Sequence, residues 1–515
     1  MTIETKVQTS AGYPRATQAS HKLEKPYFRD PLFAVLWIVQ LIIVVSCAVF
    51  LRPSPSDSKN KDDEEGYIET ALLALALLIV PLGAALIAVC MVFLFMSAYS
   101  QQVIRMAFFS PTIASIATSM IATYNMGKSA LPLWYATAGV AAVSAFMYFW
   151  VRRYVPFAAS TLRVSLQALR DYKGLIGMAM LTSTLVFAWF AVWAVASLGI
   201  YQYRQRHPRP PQVRWMPCEH DPRKQCSETV TNYEPFYVTV FLLLSLYWTS
   251  QVLSNILHTA TVGTVASWWT SKSKNERALR EALYRASTTS LGSICLGSLV
   301  VAIVSTLETI VSTVSNTQKK MEEKAEEAQR RERGQRPRRQ HSGAANAIVK
   351  QLLQLLRKIS EYINSWAFVY VGLYGDTYWA AGKKVSSSLF SKTGRPTFVS
   401  DRLVYRVLGL MKVAIALLSG ALLVVTQFAF DWTTSSDMNP STWRGIVFSS
   451  GVVVGYWVSS VSLSVLESIA RTVIVCFLEN PDALQSSHPA LHKELQHGWS
   501  TAYPNAWKSF KQKRL

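Results

Sequence analysis

Long apolar runs alternate with short polar segments along most of this chain. A helix needs roughly 20 mainly apolar residues to cross about 30 Å of hydrocarbon. Ten runs approach or exceed this length, two of them more weakly than the others. The runs lie near residues 32–51, 68–98, 107–124, 131–151, 175–200, 236–269, 291–314, 359–382, 403–430 and 445–477. This pattern predicts an all-α polytopic membrane protein with about ten transmembrane helices.

Polar segments at both ends and one charged insert set the expected domain organisation. The expected parts are a polar N-terminal tail (1–31), a transmembrane domain (32–480) with a charged insert (318–345), and a C-terminal tail (481–515). The N-terminal tail lacks the pattern of a cleavable signal peptide, so the first run is expected to remain as a span.

Charge on either side of the first run predicts its orientation. Lys22, Lys25 and Arg29 precede the run and five acidic residues follow it between residues 57 and 65. Basic flanks favour the cytosolic side, so we expect a cytosolic N-terminus and, with ten spans, a cytosolic C-terminus. Strict alternation places the charged insert outside, whereas its Lys and Arg content favours the cytosol. We favour the extracellular position that strict alternation gives.

Composition agrees with a membrane protein and argues against nucleic-acid binding. Half of the residues are hydrophobic and 16% are charged. The net charge of +21 comes from Lys and Arg in short segments between the runs, and there is no zinc-finger spacing or RNA-binding box. Basic residues beside the spans explain this charge. One such segment, 152–173, has the spacing of an amphipathic helix and is expected to lie along the inner membrane surface.

Motifs of common enzyme classes are absent from the sequence. It contains no GxxxxGK, HExxH or GxSxG motif and no Cys/His set with the spacing of metal ligands. We therefore expect no catalytic residues, cofactor or metal. An ATP-driven pump is disfavoured unless another chain supplies the nucleotide site.

Two of the six cysteines lie in a Pro-rich, charged segment that the span count places outside. Cys218 and Cys226 are separated by seven residues, EHDPRKQ. In an oxidising compartment this spacing allows a small disulfide loop. Two free thiols are the alternative.

Polar and aromatic residues follow one face of the run at 236–269. Trp248, Gln251, Asn255 and His258 are separated by three, four and three residues, so a helix places them on one face. Such a stripe in an apolar helix must find polar partners. Hydrogen bonding and packing between membrane helices is one explanation, and a transport site is the other.

The last apolar run carries an ionisable pair near its end. Glu467 and Arg471 are one helical turn apart, and the run stops at Asn480 and Pro481. Charges within a span are costly and usually face a bundle interior or a water-filled path. If the span begins near Gly445, Glu467 lies about 33 Å along it. We interpret the two residues as an ion pair or inner gate near the cytosolic face.

Three sequence blocks resemble one family. The first block, YWTSQVLSNILHTATVGTVASWW from residue 247, precedes a basic loop and SLGSICLGS at 290–298. Together they resemble the central signature of the choline transporter-like family, in its fungal and protist branch. NSWAFVYVGLYGDTYWAAGKKV at 364–385 and SVLESIARTVIVCFLENPDALQSSHPAL from residue 464 are similar to two later segments of that family.

The resemblance implies a ten-span carrier for choline or a related amine such as ethanolamine, located in the plasma membrane. A quaternary ammonium donates no hydrogen bond, so aromatic faces would bind it. The aromatic candidates are Tyr247, Trp248, Trp268, Tyr370, Tyr374 and Trp457. Packing and interfacial anchoring are alternative roles for each of them. We favour Trp248 because Gln251 and Asn255 share its face.

The sequence also departs from the family. The loop at 52–67 is short, no Asn-x-Ser/Thr acceptor occurs, and Glu467 stands where an Asp is expected. A membrane scaffold or lipid-handling protein, holding anionic lipids with its basic inner loops, is therefore the alternative to a carrier.

Overall fold

The helices follow the apolar runs closely. The computed structural model describes residues 28–51, 61–127, 131–206, 212–218, 221–230, 234–272, 275–333, 342–389, 397–430 and 439–504. The helices are α1 (Pro31–Phe50), α2 (Lys61–Met126), α3 (Leu131–Val151), α4 (Val155–Asp171), α5 (Gly174–Arg206), α6 (Glu234–Thr270), α7 (Ala278–Ser287), α8 (Leu291–Arg333), α9 (Ser342–Tyr374), α10 (Tyr378–Leu389), α11 (Thr397–Phe430), α12 (Pro440–Glu479), α13 (Pro481–Ser487) and α14 (Pro489–Ala502).

Eight helical segments within the described ranges are long and apolar enough to span a membrane. They are Pro31–Phe50, Ile79–Met96, Leu131–Asp171, Gly174–Arg206, Phe236–Thr270, Leu291–Gln318, Val399–Ala429 and Ser441–Glu479. The prediction of an all-α polytopic membrane protein is confirmed. The predicted spans at 107–124 and 359–382 are helical but do not belong to this set. The number of ten spans and the cytosolic position of both ends stay predictions.

Helix α2 is too long for a single crossing. Its 66 residues would extend about 100 Å as a regular helix. The backbone leaves helical geometry at Tyr99, with φ −122° and ψ 31°. This break separates the two apolar runs at 68–98 and 107–124, as expected for two spans joined by a kink.

A short β-hairpin connects α5 to α6. Strand β1 (Gln212–Cys218) pairs antiparallel with β2 (Asp221–Val230), and the register opposes Met216 to Cys226. The Pro-rich, charged composition of this segment did not predict strands. The cysteine side chains lie outside the described part of the chain, so the Cys218–Cys226 disulfide stays a prediction.

Helix α12 occupies the centre of the bundle. The C-terminal half of the helix is mostly buried, and the helix packs closely against α11 through glycines. A Cβ atom on Gly451 would lie 2.8 Å from the Cα of Gly420, and one on Gly455 would lie 2.6 Å from the Cβ of Ser419. Small residues let membrane helices approach at backbone distance. Helices α11 and α12 are therefore in direct backbone contact.

The beginning of the predicted C-terminal tail folds back onto the bundle as α13 and α14. Trp499 of α14 is fully buried, with its ring 5.5 Å from Phe157 of α4 and 5.0 Å from Phe477 of α12. Arg163 and Glu494 form an ion pair of 2.9 Å between α4 and α14. These contacts close the end of the bundle where α12 terminates.

The segment that was expected to lie along the inner membrane surface forms α4, and protein covers more of it than its amphipathic pattern indicates. Its position relative to the membrane stays a prediction. Eleven of its 17 residues are buried, because α12 and α14 both pack against it, for example through Phe477 and Trp499 on Phe157. Its apparently polar face carries small residues such as Ala159, Ser160 and Ala168, which permit close packing. Periodicity detected the apolar face, but it could not show that protein covers the other face as well.

Candidate functional site

The polar stripe of α6 contacts α8 through two hydrogen bonds. Trp248 Nε1 donates to the carbonyl oxygen of Cys295 at 2.9 Å, and Asn255 Nδ2 donates to Ser298 Oγ at 2.9 Å. Trp248 is 6% exposed, and Gln251 is half-buried between these two residues on the same face. The bond to Cys295 fixes the orientation of the indole ring, because Nε1 is the ring's single donor.

His258 connects the same face of α6 to two further helices. Nε2 lies 2.9 Å from the carbonyl oxygen of Ser365 on α9, and Nδ1 is hydrogen-bonded to Ser468 Oγ on α12. A carbonyl oxygen only accepts, so Nε2 carries a proton. The ring also contacts Phe368, with centroids 6.3 Å apart. One face of α6 thus makes polar contacts with three other helices, α8, α9 and α12.

Helices α8 and α9 meet at Gly297. Asn364 Nδ2 donates to the carbonyl oxygen of Gly297 at 3.2 Å. A Cβ atom on Gly297 would lie 2.5 Å from Tyr378 Cε2 and 2.8 Å from Phe368. Only glycine fits this close approach. The contact joins two of the three sequence blocks that carry the family resemblance.

The other aromatic candidates lie in different surroundings. Tyr247 bonds to Thr309 Oγ1 at 2.9 Å, and Trp457 packs edge-on against Phe190 of α5 with centroids 5.0 Å apart. Tyr370 and Tyr374 stack on each other at the end of α9, 6.1 Å apart. The predicted aromatic residues therefore fall into separate groups, and each group has its own partners.

Trp268 lies near the C-terminal end of α6, away from the stripe. Its Nε1 donates to Asp171 Oδ2 at 2.8 Å, and its ring contacts His488 with centroids 4.4 Å apart. Burial lowers the pKa of His488, while the Asp171 carboxylate acts in the opposite direction. Trp268 therefore ties α6 to the segment that follows α12.

The predicted charged pair belongs to a larger buried network. Glu467 Oε1 lies 2.7 Å from Lys412 Nζ, and Arg471 Nε lies 3.4 Å from Asp401 Oδ1. The contact between Arg471 Nη2 and Glu467 Oε2 is the longest of the three, at 3.8 Å. Buried charges are costly unless they are paired. Two acids and two bases here neutralise one another, next to Ser468 and the α6 stripe.

The position of this network differs from the simplest interpretation of the sequence. Helix α12 begins at Pro440, so Glu467 lies about 40 Å along it and twelve residues before its end at Glu479. Glu467 and Arg471 are 11% and 7% exposed as side chains. Their role as an inner gate stays a prediction.

Comparison with known proteins identifies the family of this bundle. A model of the plasma-membrane choline transporter family matches residues 135–482, which are 348 of the 515 residues. The chain belongs to that family. The match includes α6, α8, α9, α11 and α12, so it covers the stripe and the ionic network. The prediction of the choline transporter-like family is confirmed.

Relatives from fungi and a protist support the predicted branch of the choline transporter family. Protein PNS1 of Gibberella zeae is 24% identical over 382 residues, covering 72% of this chain and 65% of its own length. A CTL-like protein of Dictyostelium discoideum is 21% identical and covers 92% and 75%. Protein PNS1 of Mycosarcoma maydis is 24% identical and covers 94% and 85%. The chain thus spans less than two thirds of the Gibberella zeae protein.

Several residues of this family member were missed by the sequence reasoning. Lys412 is a single lysine within the apolar stretch LGLMKVAIALL, and the rule that singled out Glu467 applies to it equally. Asp401 lies in the more polar start of α11 and gave no comparable signal. Ser365 and Ser468, the partners of His258, are ordinary serines in sequence. Only the packing of α9 and α12 against α6 brings them to the ring.

Proposed function

We propose that the protein transports choline or a related amine such as ethanolamine across the plasma membrane. Membership of the choline transporter family supports transport in general. The observation that carries the proposal is the α6 face with Trp248, Asn255 and His258, which makes polar contacts with three other helices. A site formed between helices can change when they move relative to one another, as carriers require.

The chemistry of the α6 face suits an organic cation. Trp248 uses its N–H for Cys295, so its π face is the part of the ring left to attract a quaternary ammonium. Gln251 and Asn255 follow on the same face and offer amide groups to the hydroxyl of the substrate. The nearby cations Lys412 and Arg471 are paired with carboxylates, so they do not repel a positively charged substrate strongly.

Uptake of labelled choline into proteoliposomes tests this function. We expect saturable uptake by the wild-type protein and a loss of at least about tenfold with Trp248→Ala, since the cation–π contact is removed. Trp248→Phe keeps an aromatic face and should retain part of the activity. Trp150→Ala is the matched control, because Trp150 is 56% exposed on α3.

One result of this assay would contradict transport. Uptake equal to that of empty liposomes, by a correctly folded wild-type protein, would contradict the proposal. Salt-sensitive association with anionic vesicles in that same preparation would then favour the scaffold or lipid-handling function. Fluorescence microscopy of the tagged protein at native expression level tests whether it is located in the plasma membrane.

A further inference from the structure

A second group of aromatic and charged residues lies where α9 ends. The chain turns at Gly375, whose φ of +67° is favourable for glycine, and α10 begins three residues later. The stacked rings of Tyr370 and Tyr374 precede this turn. The Tyr374 hydroxyl donates a hydrogen bond to the Glu479 carboxylate at the end of α12.

The Lys384 ammonium, from α10, lies among these aromatic and charged residues. Its Nζ lies 4.8 Å from the centroid of the Tyr374 ring and 2.6 Å from Asp376 Oδ2. An aromatic face and a carboxylate are the two contacts by which proteins hold alkylammonium ions. Lys384 therefore has the surroundings that an amine substrate needs.

The charged part of this group is accessible to solvent and carries excess negative charge, whereas Tyr370 is buried behind it in the core. The side chains of Lys384 and Asp376 are 41% and 20% exposed, and Glu479 is exposed. The Lys384 ammonium pairs with Asp376, and a second carboxylate, Glu479, is hydrogen-bonded to the same tyrosine. Exposed ion pairs contribute little to stability, so stability alone does not explain a stacked tyrosine face and two carboxylates beside one flexible lysine.

We propose that Tyr370, Tyr374, Asp376 and Glu479 form a second binding site for alkylammonium ions, and that the Lys384 ammonium competes with the ligand for it. The inference rests on the proposed function, since the same class of amine would meet this site at the predicted cytosolic end of the bundle. A quaternary ammonium would use the Tyr374 face and the two negative charges, without donating a hydrogen bond.

Competition by the Lys384 ammonium should keep the affinity of this site for its ligand low. A site at the exit of a carrier must release its ligand readily, and a lysine on a flexible four-carbon chain can replace the departing cation. Removing the ammonium should leave the aromatic face and both carboxylates to the ligand. Affinity at this site should then increase.

Binding of labelled choline to the purified full-length protein, in a Trp248→Ala background, isolates this site from the central one. We expect Lys384→Met to tighten binding by about tenfold, and Lys384→Arg, which keeps the cation, to leave it weak. Adding Tyr374→Leu to Lys384→Met should abolish the gain. Lys383→Met is the matched control, because Lys383 is the exposed neighbouring residue.

The results separate this inference from the proposed function. Equal affinities for the Lys384→Met and Lys383→Met proteins, both shown to be folded by gel filtration, would overturn the second site. A gain in affinity with Lys384→Met in a protein that transports no choline would support the site and contradict the proposed function.

Discussion

The four charged residues of the buried network are placed so that each has a partner. Glu467 contacts Lys412 and Arg471, and Arg471 also contacts Asp401. All four side chains lie on only two helices, α11 and α12. This arrangement favours a bracing role, because a gate would be expected to join helices that separate. A bracing role is therefore the alternative to the predicted inner gate for Glu467 and Arg471.

Removing one charge of this network should lower the stability of the protein more than removing both charges of an ion pair. We expect Lys412→Met to destabilise the protein by about 3 kcal/mol, because it leaves the buried Glu467 carboxylate with one distant partner. Lys412→Met combined with Glu467→Gln should recover much of this loss. Thermal unfolding of the purified proteins in detergent measures both effects.

The control for these two variants is Lys383→Met, which changes an exposed lysine and should leave the unfolding temperature unchanged. A double variant that is less stable than Lys412→Met alone would show that the two charges are not coupled, and the bracing role would be wrong.

At the scale of elements, α14 holds the end of the bundle together. Its Trp499 packs between α4 and α12, and Tyr503, just after the helix, is hydrogen-bonded to Ser400 at 2.9 Å. Ser400 precedes Asp401, the partner of Arg471. The segment after α12 is thus structurally connected to the buried network, although α14 lies outside the matched family region.

Trp499→Ala tests whether this segment is part of the folded unit. We expect a loss of about 3 to 5 kcal/mol, the usual cost of removing a fully buried tryptophan, measured by the same unfolding assay. Trp379→Ala is the control, since Trp379 is 75% exposed. If both variants unfold like the wild type, α14 does not contribute to the stability of the bundle.

At the scale of the whole molecule, the sequence predicted the helices better than their contacts. Apolar length and the three, four, three spacing of Trp248 to His258 are local signals. The partners of that face are distant along the chain: Trp248 meets Cys295, 47 positions away, and His258 meets Ser468, 210 positions away. No periodicity encodes such pairs.

The hairpin and the two C-terminal helices were missed for related physical reasons. The hairpin at 212–230 contains Pro and charged residues, which are common in loops. Helices α13 and α14 have a mixed composition, and burial against the bundle stabilises them rather than strong apolar periodicity. Ser487 of α13 donates to the Trp269 carbonyl oxygen of α6, and Trp499 of α14 packs between α4 and α12.

The orientation of the molecule in the membrane is testable with single cysteines and a membrane-impermeant maleimide on intact cells. If the chain alternates strictly, we expect Gln335→Cys in the insert to be labelled from outside. Ser486→Cys in α13 should be labelled only after permeabilisation. Labelling of both positions only after permeabilisation would place the insert in the cytosol and would require an even number of spans between it and α13.

The glycine contact between α11 and α12 limits how this bundle can move. Gly420 and Gly451 touch at backbone distance, and the ion pair of Lys412 with Glu467 joins the same two helices. A slide by one residue, about 1.5 Å, would drive side chains into the backbone and separate the charges. Helices α11 and α12 should therefore travel as one rigid body, and the sliding surface of a transport cycle should lie along α6, where the contacts are side-chain hydrogen bonds that can exchange.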